Sequence, residues 1–242
     1  MDEGETRLQD RFFAQGYVVL PRFFAGREID TLESSLSMDT GGLAGSRSLL
    51  ERPWCLNLAQ RILSDPRLSS VWAAASRAVL CTYFEKSPVR NWLVALHQDL
   101  SIPVAERTEA PGYSGWSEKD GRLFVQPPLE VLQQSVAARV HLDGSDEETG
   151  ALKVVPRSHT LGRLRPQKAF DARRIHGELS VTVPRGGLMV MRPLLLHASS
   201  KVTGNARRRV LHFLFGPSHL PGGVQWPQLA ASPRSKGTHI SL

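Results

Sequence analysis

Trp92-Leu93-Val94-Ala95-Leu96-His97-Gln98-Asp99 is an apolar, β-prone run that ends on a histidine and an aspartate two positions apart. In an extended chain alternate side chains share a face, so His97 and Asp99 project together while Gln98 faces away. The run belongs to a longer change of period. From about Val79 the helical spacing gives way to short extended runs separated by Gly, Pro, Asn and Asp, with strands expected near 79–85, 92–97, 131–143, 151–155, 180–183, 188–191, 194–199 and 208–215. About eight strands after a helical start predict a mostly β chain with flanking helices, rolled into a double-stranded β-helix, the jelly-roll or cupin-like barrel.

Working outward, residues 5–36 read as helix, short strand, helix. Leu8, Phe12 and Phe13 recur at helical spacing, Gly16 ends the pattern, Tyr17-Val18-Val19-Leu20 is β-prone, and Gly26 to Leu36 is a second helix with Ile29, Leu32 and Leu36 on one face. Residues 37–46 read as a mobile Gly- and Ser-rich loop, and Leu56 to Ala78 as mostly helix interrupted near Pro66. Between Ser101 and Gln134 a long stretch with Pro103, Pro111-Gly112, Gly121 and Pro127-Pro128 reads as a loop starting beside Asp99, placed to act as a lid. The expected organisation is one domain over 1–242: a helical part (5–78), a barrel core (79–216) and an irregular tail (217–242).

Composition narrows the class. The 242 residues, 41% of them hydrophobic, suffice for a sizeable core. Cys55 and Cys81 are too few for a disulfide framework and lack the spacing of a zinc site, which favours a reducing, cytoplasmic setting. The acidic start Met1-Asp2-Glu3-Gly4-Glu5 is unlike a signal or transit peptide, and no apolar run is long enough to span a bilayer. Thirty Lys and Arg against 23 Asp and Glu give a net charge of +7. The arginines are dispersed apart from Arg207-Arg208-Arg209 and carry no interleaved aromatics, so a polar or anionic small-molecule substrate is expected rather than a nucleic acid or membrane partner. Oligomeric state is not legible.

A His-x-Asp pair is weak evidence by itself, and His141-Leu142-Asp143 repeats the spacing. His197 adds weight, because it lies in the apolar run Leu194-Leu195-Leu196-His197-Ala198-Ser199, where a polar side chain needs a partner. Two imidazoles and one carboxylate can occupy one face of a metal and leave the opposite positions open, the arrangement of non-haem Fe(II) oxygenases. Arg208 follows across a turn at Thr203-Gly204-Asn205, on an adjacent strand, and a guanidinium buried there makes sense if an anion meets it. Arg207 and Arg209 face the other way on an ideal strand, but a β-bulge would shift that register.

The ordered set Gly16-Tyr17-Val18-Val19-Leu20-Pro21, Lys86-Ser87-Pro88, His97-Gln98-Asp99-Leu100, Thr149-Gly150-Ala151-Leu152, Pro156-Arg157-Ser158-His159, His197-Ala198-Ser199 and Arg208 resembles the phytanoyl-CoA dioxygenase family of Fe(II)/2-oxoglutarate oxygenases over most of residues 10–216. The resemblance implies His97, Asp99 and His197 as iron ligands and as the catalytic centre, and Arg208 with Ser199 as the holder of the distal carboxylate of 2-oxoglutarate. It implies Fe(II) as cofactor, 2-oxoglutarate and dioxygen as cosubstrates, and succinate and carbon dioxide as products. It places His141-Leu142-Asp143 on a later strand where no ligand is expected. Arg139 and His141 share a face of that strand and are candidates to contact 2-oxoglutarate or substrate, with structural pairing as the other reading. Lys86 matches a family feature, although an exposed lysine at a strand end is the simpler expectation. Arg157 departs from the family, which usually has glycine there. With Asp99 present the implied outcome is hydroxylation of an unactivated carbon. Desaturation, epoxidation and cyclisation are open to the same site, and a catalytically silent binding module is the alternative.

Overall fold

The computed structural model describes residues 3–40, 45–72 and 76–228. In chain order the elements are α1 (Glu3–Gln15), β1 (Tyr17–Leu20), α2 (Gly26–Thr40), β2 (Gly45–Ser46), α3 (Pro53–Leu63), β3 (Arg77–Lys86), β4 (Val94–His97), β5 (Ile102–Pro103), β6 (Ser114–Lys119), β7 (Arg122–Gln126), α4 (Leu129–Gln134), β8 (Val136–His141), β9 (Leu152–Val154), α5 (Pro166–His176), β10 (Leu179–Val181), β11 (Leu188–Met191), β12 (His197–Ser199) and β13 (Arg208–Gly216). They form a six-stranded sheet, β1-β11-β8-β13-β3-β2, a four-stranded sheet, β10-β9-β12-β4, and a small sheet, β5-β7-β6, with every pairing antiparallel. The two larger sheets are those of a double-stranded β-helix.

Alternation along β13 builds both sides of the large sheet. Leu211, Phe213 and Phe215 face outward and pack with Cys81 and Tyr83 of β3 and Ala138 and Val140 of β8. They are covered by Phe12 of α1, Ile29 and Leu36 of α2, and the stripe Cys55, Leu58, Ala59 and Ile62 of α3. Burying each large side chain there contributes about 1.5–3 kcal/mol. Between the two large sheets, Ala137, Met189 and Met191 meet Leu152, Val154, Val181 and Leu195. The near end of this space is apolar; the far end holds polar side chains.

Several elements differ from the sequence expectation. The stretch 101–134 contains β5, the β6–β7 hairpin and α4 rather than one loop. Its turn is Asp120-Gly121, both with positive φ (52° and 70°), the backbone of a tight two-residue hairpin. The strand expected over 131–143 starts only at Val136, because Val131 and Leu132 bury themselves on one helical turn after Pro128. Residues 194–196 precede β12 and turn, with the Leu195 amide donating to the Arg192 carbonyl. α5 has no counterpart in the reading, since it buries only Ala169 and Ala172 and has no apolar stripe. α2 runs on to Thr40 and β2 starts at Gly45, so only the 41–44 part of the expected mobile loop is left, outside the described residues. The helix expected over 56–78 is α3, shifted to start at Pro53 and ended at Leu63, followed after the expected break by a 3-10 turn at Pro66–Leu68; residues 73–75 also lie outside the described residues, and β3 begins at Arg77. The tail is irregular to 228, but Trp226 is buried and its indole N–H donates to the Pro217 carbonyl.

Candidate metal centre and anion chamber

β4 and β12 lie side by side with His97 opposite His197. Asp99 sits just past the end of β4, held by its amide, which donates to the Pro193 carbonyl at 2.9 Å. Gln98 faces the other way, as alternation requires. It is buried, donates to the carbonyls of Gly162 and Leu194 and accepts from the Leu164 amide, so it fixes the chain on both sides of the pair.

The ligand-type atoms of His97, Asp99 and His197 all lie within 4.8 Å of one another. His97 Nε2 is 3.6 Å from one Asp99 oxygen and His197 Nε2 is 3.7 Å from the other. Each histidine has its Nδ1 on the carbonyl two residues earlier, Ala95 at 2.8 Å and Leu195 at 2.9 Å. A carbonyl only accepts, so Nδ1 carries the proton and Nε2 offers a lone pair toward the carboxylate, the orientation a metal requires. Burial pushes the His197 pKa down to about 4, which keeps that lone pair available. Burial works against ionisation of Asp99, and what draws its carboxyl below the usual range is positive charge at the point where the imidazoles converge, the charge that protonated rings or a metal ion would supply.

A third imidazole, His212 on β13, has Nε2 3.8 Å from Asp99, and the sequence reading did not single it out. Its Nδ1 accepts from Arg139 Nη1 at 2.8 Å, so its proton sits on Nε2 and it has no lone pair to give. Burial, reinforced by Arg139, lowers its pKa to about 3 and keeps it neutral. The available signal was alternation, because Arg208, Val210 and His212 share one face of β13.

A cavity of about 210 Å³ adjoins the cluster, lined among others by Lys86, Trp92, Arg139, Ser199 and Arg208. Arg208 points into it. The β13 irregularity falls at Leu214/Phe215 and leaves 207–209 in regular alternation, so Arg209 turns outward to Asp143 and Glu33 while Arg207 is exposed. That division also dissolves the one dense basic cluster in the sequence. Ser199 Oγ receives Arg208 Nη2 at 3.0 Å and Lys86 Nζ at 2.8 Å and donates to the Gly150 carbonyl at 2.8 Å. Gly150 allows this approach: its φ is +65°, and a Cβ there would stand 2.4 Å from the Ser200 carbonyl oxygen.

Lys86 is the correction among the polar residues. Only 2% exposed, it also donates to the Ser200 carbonyl at 2.7 Å and lies 5.5 Å from the Trp92 ring. It is buried because β3 runs beside β13 and pairs Lys86 with Arg208, a neighbour no local pattern shows. Burial, then Arg208 and Arg139, lower its pKa to about 8. Burial and Arg139 push Arg208 down to about 9, and burial takes Arg139 to about 10. Of the charged residues lining the cavity three are cations and one, Asp99, is an anion. Arg208 Nη1 is buried without a hydrogen-bond partner. A cationic chamber with an unsatisfied guanidinium nitrogen is built for a small dianion.

His141 and Asp143 do not form a second pair. His141 is buried beside Arg139 and Arg208 with neither ring nitrogen bonded, while Asp143 faces outward to Arg209. Arg157, where the family usually has glycine, adopts the left-handed φ of +69° that glycine favours.

Fold and site together define a non-haem iron oxygenase on a double-stranded β-helix. The chain belongs to the phytanoyl-CoA dioxygenase (PhyH) family, whose profile matches residues 42–210, and is thus a 2-oxoglutarate-dependent dioxygenase. Similar solved structures include HygX from Streptomyces hygroscopicus with nickel and 2-oxoglutarate bound, 18% identical, covering 90% of this chain and 87% of that one at a TM-score of 0.59. EctD from S. alaskensis is 16% identical over 91% and 81% at 0.67. The non-heme alpha ketoglutarate dependent carbocyclase SnoK from nogalamycin biosynthesis is 14% identical over 96% and 94% at 0.65. These identities are low, and the likeness is one of fold. No curated protein matches the chain significantly. Among the described residues no helix is long and apolar enough to cross a membrane.

Proposed function

We propose that the protein hydroxylates an unactivated carbon of a small molecule, with His97, Asp99 and His197 holding Fe(II) and with Arg208 and Lys86, braced by Ser199, receiving the distal carboxylate of 2-oxoglutarate. The observation that carries this reading is the pairing of two Nε2 lone pairs and a carboxylate on one point with a cationic chamber beside it. Bound iron with 2-oxoglutarate and dioxygen supplies the oxidant, and the balance is 2-oxoglutarate, O2 and R–H giving succinate, CO2 and R–OH. The chain's own residues bind and orient. The Ala95 and Leu195 carbonyls fix the two imidazole tautomers, and Ser199 holds Arg208 and Lys86 as one rigid anion cradle. Arg139 neutralises part of the cosubstrate's charge and keeps His212 from competing as a ligand.

Iron content after anaerobic dialysis and the 2-oxoglutarate dependence of oxygen uptake test this directly. His97→Ala and His197→Ala are expected to lose stoichiometric iron, whereas Arg208→Ala keeps iron and requires far more 2-oxoglutarate. Retention of iron by His97→Ala alongside its loss from His141→Ala or His212→Ala would show the ligand set to be wrong. Incubation with a metabolite extract is expected to yield mass gains of one oxygen that depend on both iron and 2-oxoglutarate.

A further inference from the structure

A second, larger cavity of about 410 Å³ also adjoins the metal cluster. It shares Phe84, His97, Asp99 and His212 with the anion chamber. Phe84 and His212 meet edge to face at 5.9 Å between ring centroids and form a septum between the two. Along the inner face of β3 and β13 the paired residues run Lys86/Arg208, Phe84/Val210, Thr82/His212, Leu80/Leu214, from cationic to apolar. With the cosubstrate at the cationic end, the apolar pair Leu80/Leu214 falls in the second cavity, which reaches the same His97 and Asp99.

The wall of this second cavity comes from the β6–β7 hairpin and β5. Phe124 and Gln126 of β7 and Ile102 of β5 line it together with Leu80, Leu132 and Leu214. Its charged lining, apart from the shared Asp99, consists of Arg47 and Lys119, and Thr82, Gln98, Ser101 and Gln126 add neutral polar groups. Arg47 is bound by Asp120. Lys119 extends over the Phe124 ring at 4.9 Å and, among the described residues, has no carboxylate partner. Lys119 is exposed, so the free cation stands at the solvent rim of a pocket whose apolar lining is Leu80, Ile102, Phe124, Leu132 and Leu214.

We propose that this cavity is the substrate site, and that it selects a small molecule whose apolar stem reaches the metal cluster and whose other end carries an oxyanion group, carboxylate or phosphate, received by Lys119. The proposal rests on the oxygenase reading for the identity of the chamber behind Arg208. A negatively charged end is attracted to Lys119 at the rim, so the charge also orients the stem, with its C–H bonds inward.

The test is calorimetric titration with four probes of one shape: 4-phenylbutyrate, 4-phenylbutyl phosphate, 4-phenylbutanamide and 4-phenylbutylamine, without oxygen and with manganese(II) and saturating 2-oxoglutarate to fill the first chamber. At least one anionic probe is expected to bind about fivefold more tightly than the amide, and the amine most weakly, as for a partly solvated ion pair. Which anion binds better distinguishes a carboxylate from a phosphate substrate. The preference should vanish in Lys119→Gln and persist in Lys119→Arg, with 2-oxoglutarate affinity unchanged in both. Equal binding of all four probes, or an anion preference that survives Lys119→Gln, overturns the proposal. Failure of the wild-type protein to bind 2-oxoglutarate counts against the oxygenase reading instead. In that event titrating Arg208→Gln and Arg208→Gln/Lys119→Gln without 2-oxoglutarate still reads the Lys119 site: an anion preference lost with Lys119 upholds the proposal, and one absent from both or kept in both refutes it.

Discussion

Lys86 ties binding to pH at the scale of a single ammonium group. Its pKa of about 8 follows from burial and two neighbouring guanidinium groups, and an anion in the chamber favours the charged form. Affinity for 2-oxoglutarate is therefore expected to be full below pH 8 and to fall as pH rises through that value, while Lys86→Arg removes the step at pH 8 and leaves only the fall near pH 9 that Arg208 sets. Titration calorimetry across that range checks it. The linked stability effect has the opposite sense: between pH 8 and 10.5 the unfolded chain retains a proton the folded chain has shed, so this group's contribution to stability rises with pH there. Arg157 gives a second residue-scale test. A side chain at φ +69° costs roughly 1–2 kcal/mol, and glycine's extra chain entropy offsets part of the gain. Arg157→Gly should raise stability by about 0.5–1 kcal/mol in denaturant unfolding without changing 2-oxoglutarate affinity.

At the scale of elements, the site depends on how β4, β9 and β12 are pinned to one another. Gln98 satisfies two carbonyls and one amide from segments remote in sequence. Gln98→Leu keeps the volume but strands those groups, at about 1–3 kcal/mol for each left unpaired, and is expected to lower both stability and iron retention. Gly150→Ala acts on the other edge, pushing Ser200 away from β9 and disturbing Ser199 beneath Arg208. Its expected signature is weaker 2-oxoglutarate binding with metal content retained. Equal loss of metal and cosubstrate would show that the two halves of the site are not separately supported. The β6–β7 hairpin was missed although Asp120-Gly121 is a hairpin-type dipeptide, because Ser114–Lys119 is too polar to read as a strand.

Across the whole molecule, α1, α2 and α3 cover the outer face of the large sheet, and the candidate site lies between its inner face and the four-stranded sheet. Phe213 is fully buried in the outer layer, in stacked contact with Phe215 at 6.0 Å. Phe213→Ala should cost about 3–5 kcal/mol and lower Tm by roughly 2–4 °C for each. Below the transition its 2-oxoglutarate affinity should stay near wild type, as differential scanning calorimetry and titration of the same preparation can show.

Periodicity in the sequence determined the helical start, the change to strands at about residue 79, and the shared face of His97 and Asp99, because all three depend on the spacing of side chains along one element. It also placed Arg208 opposite its two neighbours, since alternation is local. Tertiary structure decided what depends on which strands lie side by side. Pairing of β3 with β13 buried Lys86 against Arg208, pairing of β13 with β8 joined Arg139 to His212, and the pairing of β4 with β12 set His97 opposite His197. Burial, charge and tautomer are properties of neighbours in space, and those neighbours are brought together only when the sheets close.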